Sequence, residues 1–175
     1  MREVLEAHKE LLDTLGTPLQ SFGGCPKSQP RTIDIGCGAG PKRPAKGYSM
    51  YCDIHPPALV TARPYVQCPM ENMPFQNKEF DFARCHHVIE HVVDPDKACS
   101  ELIRIAKAGI LSFPPPQAEI MFGRKDHNWF VFVDRGRLLF VRKRHPSYGV
   151  PRAATGCELN VDFHWEGSFR WLVVQ

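Results

Sequence analysis

The sequence predicts an α/β fold: a three-layer sandwich with a mostly parallel sheet, helices on its faces and antiparallel strands near the C-terminus. Three observations predict it. Short β-rich segments alternate with polar and helical stretches as far as residue 113, and a glycine-rich run breaks directly out of the first strand. The last third then carries apolar strands joined by a tight glycine turn.

Taken in order, Val4, Leu5, Leu11, Leu12 and Leu15 recur at helical spacing and predict an amphipathic helix over 2–15, closed by Gly16. A Gly- and Pro-rich linker runs to Pro30. Thr32–Ile35 reads as a strand, broken by Gly36-Cys37-Gly38-Ala39-Gly40. Tyr48–Ile54, Tyr65–Cys68 and Phe80–Cys85 read as the next three strands. A helix is predicted over Lys97–Lys107, with Cys99, Leu102, Ile103 and Ala106 on its inner face and Gly109 as its stop. Ile110–Phe113 is the fifth strand, ended by Pro114, Pro115 and Pro116. Trp129–Val133 and Arg137–Val141 form a hairpin around Asp134-Arg135-Gly136. A loop over His145–Asn160 leads on to a last strand, Phe169–Val174.

With 175 residues, the chain suits one domain over 1–175. It divides into the N-terminal helix (1–16), a core (31–114) and a substrate-side segment with the C-terminal strands (115–175). Net charge is +3, too mild to argue for nucleic acid by itself. No apolar run approaches the ~18 residues of a membrane span. Seven cysteines, an odd number with no Cys-x-x-Cys pair, fit neither a disulfide framework nor a zinc ribbon. Unpaired thiols fit a reducing compartment, so a cytoplasmic location is expected.

The chemistry concentrates at Asp34-x-Gly36-x-Gly38-x-Gly40, followed by Asp53 at the end of the second strand. Glycines let the backbone approach a ligand closely, and an acid at that strand end can accept both hydroxyls of a ribose. A nicotinamide or flavin site usually shows Gly-x-Gly-x-x-Gly opening a helix. Here Pro41 takes the place of the third glycine, and Lys42-Arg43-Pro44 leaves no room for a long helix. The expected ligand is an adenosine-type cofactor without a pyrophosphate.

Residues 32–114 resemble the core of the class I S-adenosylmethionine-dependent methyltransferases, a Rossmann-like family, in five ordered segments. The glycine motif and Asp53 are the first two. Glu71-Asn-Met-Pro-Phe75 with Phe80-Asp81 resembles the run from the adenine pocket into strand four. His87-Val-Ile-Glu90-His91-Val-Val-Asp94-Pro95 resembles the helix start after strand four, and Glu101–Lys107 the helix before strand five. The resemblance implies S-adenosylmethionine held by Asp34, Gly36, Cys37, Gly38, Gly40, Asp53, Ile54, Met70, Glu71 and His86. Pro69 stands where the family commonly has an acid on the adenine amino group, and the Pro41–Gly47 crossover is short. The resemblance also implies methyl transfer to an oxygen, nitrogen, carbon or sulfur nucleophile; His86, His87 and His127 are candidate general bases by their chemistry and expected position, and the sequence does not choose among them.

Other readings are weighed on residues. His87-x-x-Glu90-His91 matches an inverted zinc-protease motif but names no third ligand, so no metal is expected. Arg135, Arg137, Arg142, Lys143 and Arg144 crowd the hairpin, where solvated edge charges are the usual reading and a nucleic-acid surface the lesser one. Trp129, Phe130, Phe132 and Phe140 read as hairpin core. A small-molecule acceptor is the expected partner, with no membrane and with a homodimer left open. An inactive methyltransferase-like binding subunit and a nicotinamide oxidoreductase are the alternatives.

Overall fold

Thr32–Ile35 (β1) is β-branched at three of its four positions and entirely buried, as a central strand covered on both faces must be. The computed structural model describes residues 29–38, 47–56, 64–144 and 159–175. The predicted N-terminal helix, Gly40, Cys25 and Cys157 lie outside them. β1 pairs in parallel with Met50–Asp53 (β2) on one side and with Phe80–His86 (β4) on the other. Tyr65–Gln67 (β3) extends the sheet beyond β2, and Ala106–Phe113 (β5) extends it beyond β4.

Helix α1 covers Pro95–Ile105. Asp94 caps it, its carboxylate accepting the Lys97 N–H at 3.1 Å, and Pro95 sits in the first turn, where no backbone donor is needed. Ala98, Cys99, Leu102 and Ile105 form its buried stripe. Near its other end Arg104 donates to the carbonyls of Met73 and Phe75 at 2.8 and 2.5 Å, tying the β3–β4 connection to the helix.

The expected helix end was wrong. α1 stops at Ile105 and β5 begins at Ala106, which pairs with Phe80. Gly109 is no helix stop: it lies inside β5, where a Cβ would stand 2.5 Å from the Ala83 carbonyl oxygen and 2.9 Å from Trp165 Nε1. The glycine serves close approach within the sheet.

A second correction concerns Val161–Glu166 (β8), which the sequence reading left without a strand. It pairs antiparallel with β5 from Ala108↔Glu166 to Phe113↔Val161, giving the order β3-β2-β1-β4-β5-β8. After Pro116–Phe122 (α2), Trp129–Asp134 (β6) and Arg137–Arg142 (β7) form the expected hairpin, turned by Arg135 and Gly136 at φ 48° and 73°. Arg170–Val174 (β9) adds to β7 in parallel, so the hairpin and the last strand make a separate three-stranded sheet. Indole N–H groups fasten this sheet: Trp129 donates to the Val92 carbonyl at 2.8 Å and Trp171 to Asp96 Oδ1 at 2.6 Å. None of the described helices is long and apolar enough to cross a membrane.

Candidate functional site

β1 and β4 are neighbours, yet the chain leaves them toward opposite sides of the sheet, β2 and β3 on one side and β5 on the other. Such a reversal opens a crevice beyond the carboxyl ends of the two strands. A cavity of about 560 Å³ lies there, in the range of small-molecule sites.

The glycine loop forms one wall. Gly36 holds φ +69° and donates its N–H to the Cys52 carbonyl at 2.8 Å, and a Cβ on it would lie 1.9 Å from Val88 Cγ2. Only glycine satisfies both the backbone angle and that contact. Gly38, at φ +81°, donates to Asp53 Oδ2 at 2.9 Å, while Asp53 Oδ1 accepts the His55 N–H at 2.9 Å. Each carboxylate oxygen offers two acceptor positions, so Asp53 retains capacity for two further donors. Ile54 and Met70 line the cavity with apolar surface, and Glu71 lines it while accepting the Val93 N–H at 2.8 Å.

The opposite wall is the turn after β4. His87 takes φ +55°, a left-handed conformation rare outside glycine, and its N–H is tied to the Ser112 carbonyl at 2.8 Å. Its Nδ1 lies 3.0 Å from Oε1 of Glu90, which is 0% exposed. A carboxylate accepts only, so Nδ1 carries the proton and Nε2 the lone pair.

The remaining predicted residues stand elsewhere. Asp34 is fully buried and paired with Arg84 at 2.8 Å, beneath the loop rather than on the cavity wall. Cys37 and His86 are not among the residues that line the cavity; the His86 ring meets His87 edge-on at 4.5 Å. Burial, Asp34 and Asp53 push the Cys37 thiol up to about 11, so it stays protonated at neutral pH. His127 lines a second cavity of about 260 Å³, its Nδ1 2.6 Å from Oε2 of the buried Glu119. Lys143 donates to the other Glu119 oxygen, Arg137 pairs with Asp134, and Arg142 stacks over Trp129. Arg144 donates to the Gln175 carbonyl at 2.8 Å, so four of the five basic residues of the hairpin region are engaged within the fold.

The sequence offers the segment Ile120–Trp129 as a pocket wall without singling out Arg124 and Asp126, the two of its residues that line the main cavity. Arg124 holds the Asp126 carboxyl down at about 2, and the Asp126 carbonyl faces His91 Nδ1 at 3.0 Å. Neither residue belongs to a spaced motif; they reach the cavity because the 123–128 loop folds back over the turn after β4.

Residues 33–113 match the methyltransferase domain family. The chain is 34% identical over 88 residues to a ubiquinone/menaquinone biosynthesis C-methyltransferase, UbiE, of Xylella fastidiosa, covering 48% of this chain and 35% of that protein. Its counterpart in Xanthomonas oryzae pv. oryzae is 32% identical over the same shares. The chain thus spans about a third of the length of the curated relatives it matches. Among solved structures, the YcgJ protein of Bacillus subtilis is similar at TM-score 0.44 and 23% identity, covering 62% of this chain and 51% of that one. A possible histamine N-methyltransferase of Thermotoga maritima is similar at TM-score 0.44 and 22% identity, over 63% and 53% of the two chains.

Proposed function

We propose that the chain is a class I S-adenosylmethionine-dependent methyltransferase, a reading supported by the match of residues 33–113 to the methyltransferase domain family, and that it transfers the cofactor's methyl group to a nucleophile on a small molecule. The observation that carries this reading is the convergence of Gly36, Gly38, Asp53, Met70, Glu71 and His87 on one cavity at the strand-order reversal. The donor and acceptor set fits the cofactor. Gly36 and Gly38 give close backbone approach, Asp53 has acceptor capacity for two ribose hydroxyls, and Ile54 and Met70 offer apolar surface to a base. When bound, the cofactor supplies a methyl group already activated on a sulfonium.

The chain's part is then alignment and proton removal. His87 is the proposed base, with Glu90 on Nδ1 fixing the tautomer that leaves Nε2 to take the acceptor's proton. The names of the Xylella and Xanthomonas relatives make carbon the first accepting atom to test.

Cofactor binding is tested by melting the protein with and without adenosylhomocysteine. Ligand at one hundred times its dissociation constant adds ~2.7 kcal/mol, on the order of 5–10 °C for a domain this size. Equilibrium dialysis should show adenosylhomocysteine retained and NAD not. Absence of any shift at millimolar adenosylhomocysteine defeats the proposal, and retention without transfer to any acceptor would make the chain a binding subunit.

A further inference from the structure

From the geometry around Glu90 we infer a binding site for one divalent transition-metal ion, of the zinc or cobalt class, held by Glu90, His91 and His127. Candidate donor atoms of these three residues all lie within 4.8 Å of one another. A tetrahedral ion with bonds of about 2.1 Å has donor atoms ~3.4 Å apart, so closing the set takes side-chain movement on the order of 1 Å.

Each residue presents the atom a metal needs. Nδ1 of His91 faces the Asp126 backbone carbonyl at 3.0 Å, an acceptor, so Nδ1 is the protonated nitrogen and Nε2 carries the lone pair. Nδ1 of His127 likewise faces the Glu119 carboxylate at 2.6 Å. Histidines that bind metals almost always give their other ring N–H to a carboxylate or a backbone carbonyl. Here one does each. Glu90 supplies the third donor: its Oε1 holds His87, while its Oε2 is buried and accepts no hydrogen bond from any described residue. A buried carboxylate oxygen in that condition is costly unless a proton or a cation completes it.

The arrangement is held by the backbone. The N–H groups of Asn128 and Trp129 donate to the Glu90 carbonyl at 2.8 and 3.2 Å, and the Asn128 side chain donates to the His91 carbonyl at 2.6 Å. The residue after His127 is thereby fastened to the turn that carries Glu90 and His91, and the two imidazoles meet edge-on at 4.4 Å. Two imidazoles and one carboxylate favour borderline ions such as zinc over magnesium or calcium, and three protein ligands leave a coordination position open. His91 also lines the main cavity, and His127 lines the second. The ion would therefore stand in the partition between them.

The test uses the full chain, stripped with EDTA, returned to chelator-free buffer and titrated with Co(II), with no cofactor present. One equivalent per chain is expected, with visible d–d absorption abolished by Zn(II) and a higher melting temperature in the loaded form. His91→Gln and His127→Gln should each weaken Co(II) binding 100-fold or more, and Glu119→Gln, acting through His127, 10- to 100-fold. Glu90→Gln, which keeps the shape of the buried side chain, should remove the stoichiometric signal in protein whose circular dichroism is native. The inference is overturned if folded wild-type protein binds neither Co(II) nor Zn(II) stoichiometrically. It is equally overturned if binding survives Glu90→Gln and His127→Gln, or is lost only on replacing Cys52 and Cys68 by serine. None of these readings depends on methyl transfer.

Discussion

Gly36 and Gly136 hold similar positive φ angles, +69° and +73°, in opposite surroundings. A Cβ on Gly136 meets nothing within 4 Å, whereas one on Gly36 meets Val88 Cγ2 at 1.9 Å. Gly136→Ala should therefore cost only the conformational penalty, about 1 kcal/mol. Gly36→Ala should cost ~3 kcal/mol or more, since backbone strain and collision add. Adding Val88→Ala to Gly36→Ala should recover part of the loss, read as the urea midpoint of each variant. Equal midpoints for the two single variants would refute the collision. Asp53→Ala removes the acceptor on which ribose binding is proposed to rest, and hydrogen bonds to a charged group are worth ~1.5–3 kcal/mol each. Adenosylhomocysteine affinity should fall 10-fold or more by calorimetry, and an unchanged affinity would remove Asp53 from the site.

At the scale of the element, α1 separates two contributions made by one residue. The Asp94 carboxylate accepts the Lys97 backbone N–H at 3.1 Å and also lies 3.3 Å from the Lys97 ammonium. The first bond satisfies a helix-end donor that has no partner within the helix. The second is an exposed ion pair, which contributes little. Asp94→Ala should cost about 1 kcal/mol, Asp94→Ser distinctly less, and Lys97→Ala within ~0.5 kcal/mol. Chemical denaturation of the three variants checks the order, and a Lys97→Ala loss as large as that of Asp94→Ala would reverse the assignment. β8 shows what was legible at this scale. Val161-Asp-Phe-His-Trp-Glu alternates apolar and polar residues, and Phe163 and Trp165 are indeed its buried members. The period-2 signal was present, but no glycine or proline turn at its start marked it off from the preceding loop.

For the whole molecule, acid acts on the fold where the 123–128 loop meets the turn after β4. Burial, reinforced by the neighbouring His127, lowers the His91 pKa below its ordinary 6.5. The unfolded chain then binds a proton near pH 6.5 that the folded chain refuses, so this contribution is complete above 6.5 and is lost as pH falls below it. Burial would raise the Glu119 carboxyl, but the bonds from His127 and Lys143 outweigh it and hold the group below 4.5. That second contribution is complete above 4.5 and is lost further into acid. Melting temperatures measured in EDTA should be level between pH 7 and 8, decline below about 6.5 and steepen below about 4.5. His91→Gln should flatten the first decline, and a first decline unchanged in that variant would mean that His91 does not govern it.

The sequence by itself determined the parallel core and the glycine-lined edge on which the main cavity opens. β1 is β-branched at three of its four positions, glycines follow it at once, and Asp53 closes the next strand; each is a local requirement of chain geometry, written in adjacent residues. The hairpin was legible for the same reason, because Arg135-Gly136 meets the positive-φ demand of a two-residue turn on the spot. Only the tertiary structure decided which histidines stand where. His87, Glu90 and His91 looked like a ligand set by spacing, yet Glu90 holds His87 by one oxygen and turns the other toward no described donor. His127 joins Glu90 and His91 from a distant segment because Asn128 and Trp129 bond to the Glu90 carbonyl. The position of Gly109 was settled in the same way, by Ala83 and Trp165 on the strands that flank β5. Contacts of this kind depend on which distant segments the sheet order brings together, and no local period along the chain records that choice.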